Sequence, residues 1–152
     1  MQKELAQLLL SSSSGITHQP GVHFNTPGAF NMATEFHLTA RPLLVSGIKS
    51  QALTEALDIS QFDEIDAVCT ICAIVGSGAL SIRLLTGMQR ETDVGWVELL
   101  AFTSSNLDSV GDADIKNSST KMLKYMRWDV TSLNGATSFT FDIGGMLRKR
   151  SR

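Results

Sequence analysis

The chain of 152 residues contains only two cysteines, three prolines and one tyrosine. With two cysteines, it cannot have the disulfide framework that stabilises many small secreted domains. No stretch reaches the roughly 18 consecutive apolar residues of a membrane span, so we expect neither a span nor a signal peptide. Charged residues make up only 18% of the chain and the net charge is -2. No overall field therefore favours nucleic acid or an anionic membrane.

The two cysteines, Cys69 and Cys72, have the C-x-x-C spacing of redox and zinc motifs. They lie in the apolar run 66–75, which predicts a strand, and three positions along a strand place two side chains on opposite faces. No second Cys or His pair follows at zinc-finger spacing. We therefore expect two buried structural thiols and synthesis in a reducing cytoplasm.

Residues 1–34 lack the periodicity of a core element. The first ten residues would place three leucines on one face of a short helix, but helices below about 12–15 residues are marginal alone. A Ser/Gly linker follows, and then a stretch with two of the three prolines and two of the three histidines. We predict an extended N-terminal arm that becomes ordered against a neighbouring subunit. Its predicted contact residues are Leu5, Leu8, Leu9 and Phe24.

From residue 35 onward, apolar and polar residues alternate, which is typical of strands with one buried face. Seven or eight such segments occur, separated by turn residues at intervals of about ten residues, as in a sandwich or barrel. No helical patterns alternate with them, so a parallel sheet is not expected. We predict an all-β domain over residues 35–147, an antiparallel β-sandwich of jelly-roll type. The residues predicted to lie in or near its core are Ile71, Ile82, Trp96, Trp128, Phe139 and Phe141.

Two turns are predicted to close hairpins. Asn134-Gly135 lies between two alternating segments, and both residues tolerate positive φ. Gly76-Ser77-Gly78 follows the longest apolar run, residues 64–75, which predicts a central strand buried on both faces. Residues 87–95 and 104–118 are polar and predict loops.

Few residues suggest chemistry. Asp108, Asp112 and Asp114 offer oxygen ligands for calcium, but their spacing is not that of an EF-hand and the closing Glu is absent. A solvated acidic loop is the simpler interpretation. The three histidines, His18, His23 and His37, fall in the arm and on one strand, which does not predict a shared metal site.

The sequence also contains few residues that suggest catalysis. Glu98 and Asp129 offer a pair of carboxylates for acid–base chemistry, although positions facing solvent explain both. No nucleophile elbow is present. We therefore expect a protein that is not an enzyme and needs no metal or other cofactor.

The only dense cluster of charge is a basic tail, residues 148–152, which ends the chain. Arginine suits phosphates and carboxylates, so solvent, an acidic protein partner and nucleic acid are all alternatives for this tail. Five residues without an aromatic make a poor nucleic-acid site, and nucleic acid is not the expected partner. The residues predicted to contact a protein partner are Arg148, Lys149 and Arg150.

Three stretches resemble discoidin-like, galactose-binding-type sandwiches. Residues 86–96, TGMQRETDVGW, resemble a loop that ends in a tryptophan; residues 124–130, KYMRWDV, resemble a strand of the form RYVRW-x-V; residues 136–145, ATSFTFDIGG, resemble the last strand. In a short chain that ends soon after this strand, the combination is also similar to small structural proteins encoded in the morphogenesis regions of tailed phages and prophages. The resemblance covers roughly residues 36–147.

This resemblance implies a non-enzymatic structural protein of a phage-like particle, which decorates or cements a capsid or tail. Its partners would be a major capsid or tail protein and copies of itself. Its location would be the virion, after synthesis in the host cytoplasm. The alternative is a carbohydrate-binding discoidin-like module of a fibre or cell-surface complex. That alternative predicts exposed aromatic and polar groups in the loops 87–95 and 104–118.

Overall fold

The computed structural model describes residues 33–39, 41–120 and 122–149, which form ten strands and two 3-10 turns. The turns are Leu53–Glu55 and Ser104–Asn106. Across these ranges, no helix is long and apolar enough to cross a membrane. The strands are β1 (Ala33–His37), β2 (Leu43–Val45), β3 (Lys49–Ser50), β4 (Leu57–Asp58), β5 (Glu64–Val75), β6 (Ser81–Gly87), β7 (Val97–Ala101), β8 (Ala113–Ser118), β9 (Tyr125–Ser132) and β10 (Ser138–Arg148).

The strands form two antiparallel sheets. Sheet A has the order β1-β10-β5-β8, with β2 also paired to β10, and sheet B has the order β3-β9-β6-β7, with β4 also paired to β9. The pairs β1–β2 and β3–β4 each form one interrupted edge strand. Counted in this way, the chain has eight strands in the orders 1-8-3-6 and 2-7-4-5. This is the strand order of a jelly roll, and it confirms the predicted fold class.

The core lies between the inner faces of the two sheets. Five of the six predicted core residues are buried there: Ile71, Ile82, Trp128, Phe139 and Phe141. Burial alternates along β5, so this strand has one buried face and not the two that were predicted. Sheet B covers only the inner face of β5. The long apolar run in the sequence did not indicate that the other face is uncovered.

Both predicted hairpins are wrong. β9 and β10 lie in different sheets, and so do β5 and β6. The turn between β9 and β10 has the predicted backbone, since φ is 46° at Asn134 and 101° at Gly135. However, it carries the chain from sheet B to sheet A. The apolar faces of the two strands meet across the core, where the rings of Trp128 and Phe141 lie edge to face at 5.7 Å.

The bounds of the elements differ from the prediction at three places. β1 begins at Ala33, two residues before the predicted domain, and β10 includes Arg148 from the predicted tail. β8 lies inside the predicted loop 104–118. Its apolar residue Ile115 faces outward, so β8 lacks the inward apolar pattern by which the other strands were found. Residues 51–59 contain a 3-10 turn followed by β4, so their second half is a strand, as predicted.

Gly145 allows β10 and β5 to approach closely. Its φ is +155°, and a Cβ at this position would lie 2.0 Å from the carbonyl oxygen of Asp66. We expect Gly145→Ala to destabilise the fold by about 1–3 kcal/mol, because the side chain forces the backbone apart. Gly47→Ala is the control, since nothing lies within 4 Å of its added Cβ. Urea unfolding of both variants measures the difference, and equal stability would contradict the packing described.

Candidate interaction surface

The outer face of sheet B carries a network of ion pairs. Arg83 Nε donates to Asp129 Oδ2 at 2.8 Å, and Arg83 Nη1 lies 3.6 Å from Glu98 Oε2. Ser50 Oγ donates to the other oxygen of Asp129 at 2.5 Å. The hydrogen bond to Asp129 raises the pKa of Arg83. Glu98 and Asp129 are therefore two acceptors around one guanidinium, which links β7 and β9 to Arg83 on β6.

The β6–β7 loop, residues 88–96, folds over the same face. The indole ring of Trp96 lies on Gly87, so that a Cβ added at Gly87 would be 2.8 Å from the ring. The Trp96 Nε1 donates a hydrogen bond to the Thr92 carbonyl at 2.9 Å. Arg127 stacks on the indole, with Cζ 4.6 Å from the ring, and its Nη2 lies 2.8 Å from Asp93 Oδ1. Trp96 was predicted for the core, and that prediction is wrong. The ring packs outside the sandwich against a cation instead.

Tyr125 is also on this face and is covered. Its ring lies beneath Arg90, at 5.6 Å from the guanidinium carbon, and beneath Lys124, at 5.1 Å from the ammonium nitrogen. Only 9% of Tyr125 is exposed, so its ring offers little surface to a partner. Loop and ion pairs together cover the strands on the outer face of sheet B, and the loop itself exposes Met88 and Val94.

The outer face of sheet A is different. Large apolar side chains stand exposed on it: Leu44 is 62% exposed, Val75 56% and Ile115 72%. They come from three strands, β2, β5 and β8, so they are spread across the width of the sheet. No described segment folds over this face as the β6–β7 loop folds over sheet B. Contiguous exposed apolar area marks sites of contact between proteins, and these three side chains are the large apolar groups that this face offers to such a contact.

A shallow hollow of about 290 Å³ lies at the centre of this face. Gly144 forms its floor, because it has no side chain, and Val68 is its neighbour on β5. Ile115 is the next residue in the same row, on β8. The hollow is lined by Val68, Thr70 and Met146 together with the polar side chains of Glu35, His37 and Asp142. Ile115, which projects from β8, therefore lies two strands away from the hollow at Gly144 on β10.

Of the seven predicted contact residues, the described ranges contain two. Arg148 lies at one end of sheet A, and its Nη2 is 2.5 Å from Asp66 Oδ2, with both side chains partly exposed. Lys149 follows it and is exposed. The predictions for Leu5, Leu8, Leu9, Phe24 and Arg150 lie outside the described residues. Leu44, Val75 and Ile115 were missed, because an outward apolar residue in a strand looks like an inward one in the sequence.

The two cysteines have different environments. Cys69 is buried in the core, as predicted, and this burial raises the pKa of its thiol. Cys72 was also predicted to be buried, but it is exposed. It lies at the irregularity where the β5–β10 register shifts, so the alternation along β5 is broken there.

The three aspartates of the 102–114 region do not converge. Asp112 Oδ2 accepts the backbone N–H groups of Asp108 and Ser109 at 3.2 and 2.8 Å. Asp114, which is buried, accepts the Thr103 N–H at 2.7 Å and the Asn106 amide at 3.0 Å. Among the described residues, no cluster of three or more His, Cys, Asp or Glu side chains can hold a metal ion. These carboxylates hold their own loop in place.

Asp114 makes the fold sensitive to acid. Burial acts to raise the pKa of its carboxyl group, but hydrogen bonds from the Thr103 N–H, Asn106 and Lys116 outweigh burial and lower it. Its contribution to stability is therefore present above the usual aspartate pKa of about 4 and is lost as pH falls below it. We expect Asp114→Asn to cost about 1–3 kcal/mol at pH 7 and less at pH 3, as measured by urea unfolding. A cost that does not change with pH would contradict this role.

The comparisons with known proteins add little. No protein-family model matches the chain, and no curated relative is found. Among solved structures, the SPBc2 prophage-derived protein YomS is similar at 13% identity and a TM-score of 0.46, over 80% of this chain and 99% of that chain. A structure described as Bacillus endospore appendages forming disulfide-linked pili is similar at 11% identity and a TM-score of 0.31, over 79% and 86%. With both TM-scores below 0.5, the fold assignment rests on the strand order of this chain itself.

Proposed function

We propose that this protein is a non-enzymatic structural component of a phage-like particle, which decorates or cements a capsid or tail. It would be made in the host cytoplasm and located in the virion. The outer face of sheet A would contact copies of the same chain or a major capsid or tail protein. The observation that supports this most is the contrast between the two sheets. The β6–β7 loop covers the strands of sheet B and exposes Met88 and Val94 of its own, whereas on sheet A the strands themselves expose Leu44, Val75 and Ile115.

The polar groups that suggested chemistry support a structural role. Glu98 and Asp129 share Arg83. Asp112 and Asp114 accept hydrogen bonds from backbone N–H groups. Each of these carboxylates therefore has a partner within the fold.

The carbohydrate-binding alternative has less support. It requires exposed aromatic rings near the loops 87–95 and 104–118, and neither range contains an aromatic residue. The adjacent Trp96 is stacked on Arg127 and hydrogen-bonded to Thr92, so its ring is occupied within the fold. A sugar would find no free aromatic platform at this loop.

The N-terminal arm would strengthen attachment. A contact through the face of one sheet is small, and a second contact on the same chain raises the overall affinity because it becomes intramolecular. The apolar residues Leu5, Leu8, Leu9 and Phe24 would supply this second contact, and the basic residues that begin at Arg148 would add charge.

Ile115 tests the proposed face. Ile115→Lys should leave the unfolding free energy within about 0.5 kcal/mol of the wild type, because the side chain is exposed. It should weaken self-association at least tenfold, since burying an isoleucine contributes about 1.5–3 kcal/mol. Sedimentation equilibrium measures the association constant. The control is Val94→Lys, an 80% exposed position on the β6–β7 loop. An equal effect of both variants, or none from Ile115→Lys, would rule out this face.

Removal of residues 1–31 tests the role of the arm. We expect the full chain to be an oligomer by light scattering and the shortened chain to have a smaller mass, because the second contact is lost. Tryptophan fluorescence should show that Trp128, which is 4% exposed, stays in a folded core. Monomers in both samples would contradict self-assembly and would make a glycan screen the next experiment.

A further inference from the structure

A cleft of about 790 Å³ opens along one side of the sandwich. It lies where the β1–β2 edge of sheet A faces the β3 edge of sheet B. Leu38, Leu43 and Trp128 line it with apolar atoms, and Leu38 and Trp128 belong to the buried core. Polar side chains from both edges surround this apolar lining: Thr39, Arg41, Lys49, Ser50, Gln51 and Glu55.

The wall on the sheet A side offers backbone hydrogen-bonding groups. The Leu38 N–H donates to the Ile143 carbonyl at 2.9 Å, in the register that pairs β1 with β10. Because the bonds of an antiparallel ladder alternate, the backbone groups of His37, the β1 residue that lines the cleft, point away from β10. Among the described strands, β1 pairs only with β10. The outer edge of β1 therefore presents donors and acceptors to whatever lies beside it.

The wall on the sheet B side has the same property. The Gln51 N–H donates to the Trp128 carbonyl at 3.0 Å, and Ser50 pairs with Asp129. By the same alternation, the backbone groups of Ser50 point away from β9. An apolar floor between two edges with backbone donors and acceptors fits an extended peptide. Such a peptide adds as a strand and places alternate side chains on the floor.

We propose that this cleft binds part of residues 1–32 from a neighbouring copy of the chain as an added strand. This inference rests on the assembly role proposed above and names the surface that receives the arm. The segment joins the sandwich at Ala33, the first residue of β1, which is one of the cleft's own edge strands. It carries apolar side chains for the floor: in an extended segment Leu5 and Leu9 lie on one face, and Phe24 is a further apolar residue of the segment.

The length of the segment allows exchange between copies. Thirty-two residues span about 100 Å when extended. β5, with 12 residues, is about 40 Å long. The segment can therefore reach past one sandwich to the next. To enter the cleft of its own chain it would have to reverse direction, because Ala33 is at the end of β1 away from the cleft, which begins at His37.

Photo-crosslinking of the full chain tests this. Ala52 lines the cleft and is exposed, so it can be replaced by a benzophenone amino acid with little strain. Assembled protein would be prepared from equal amounts of ¹⁴N- and ¹⁵N-labelled chains, irradiated, digested and analysed by mass spectrometry. We expect crosslinks from position 52 to peptides within residues 1–32, with half of them joining the two isotopes.

Other crosslinks would overturn the proposal. Crosslinks between position 52 and residues 1–32 that always join peptides of the same isotope would show that the arm returns to its own chain. Links to peptides outside residues 1–32, or none in an intact oligomer, would show that the arm is not in the cleft, and the assembly role would stand without it. A wild-type monomer would overturn both the assembly role and the exchange.

A bulky substitution gives a second test. Ala52→Trp should fill the cleft and reduce the mass to that of the chain lacking residues 1–31. Ala101→Trp is the matched control, because Ala101 is exposed on β7, far from the cleft and outside sheet A. Thermal unfolding would show that both variants are folded. An unchanged mass for Ala52→Trp, or an equal loss for both, would contradict the proposal.

Discussion

The packing of β9 against β10 across the core is the contact on which the rest of the structure depends. Each strand pairs with three others in its own sheet, β9 with β3, β4 and β6, and β10 with β1, β2 and β5. The edge-to-face contact of Trp128 with Phe141 joins the two strands at 5.7 Å. Residues 133–137 connect them in the chain, so one short turn links the centres of both sheets. Loss of this contact would separate the two sheets and not only two strands.

The two sheets use their outer faces differently. On sheet B, the β6–β7 loop and two arginines cover the strands, and the exposed apolar side chains on this side, Met88 and Val94, belong to the loop. On sheet A, the row from Gly144 through Val68 to Ile115 carries no polar side chain. Polar side chains lie on both sides of this row, with Glu35 and His37 on β1 and the pair of Asp66 and Arg148 near one end of the sheet. The two outer faces therefore differ in which elements carry exposed apolar side chains: the strands on sheet A and the loop on sheet B.

The sequence predicted the fold class because alternation along a strand directly reports one buried face. It also predicted the bounds of β5 and the backbone of the turn at Asn134. It did not predict strand pairing, because the same turn residues suit a hairpin and a crossing between sheets. Trp96 was misplaced since a large ring is usually buried, and no local pattern signals its stacking on Arg127. Of the candidate surface, only Arg148 was named in advance.

Hydroxyl-radical footprinting of the full chain tests the central claim, that the protein associates through the outer face of sheet A. Oxidation of side chains would be measured at concentrations where the protein is dissociated and assembled. Leu44, Ile115 and Met146 should become protected on assembly, whereas Met88 and Val94 on the β6–β7 loop should react equally in both states. Protection of Met88 and Val94 with unchanged reactivity at Ile115 would contradict the account, because the contact would then lie over sheet B.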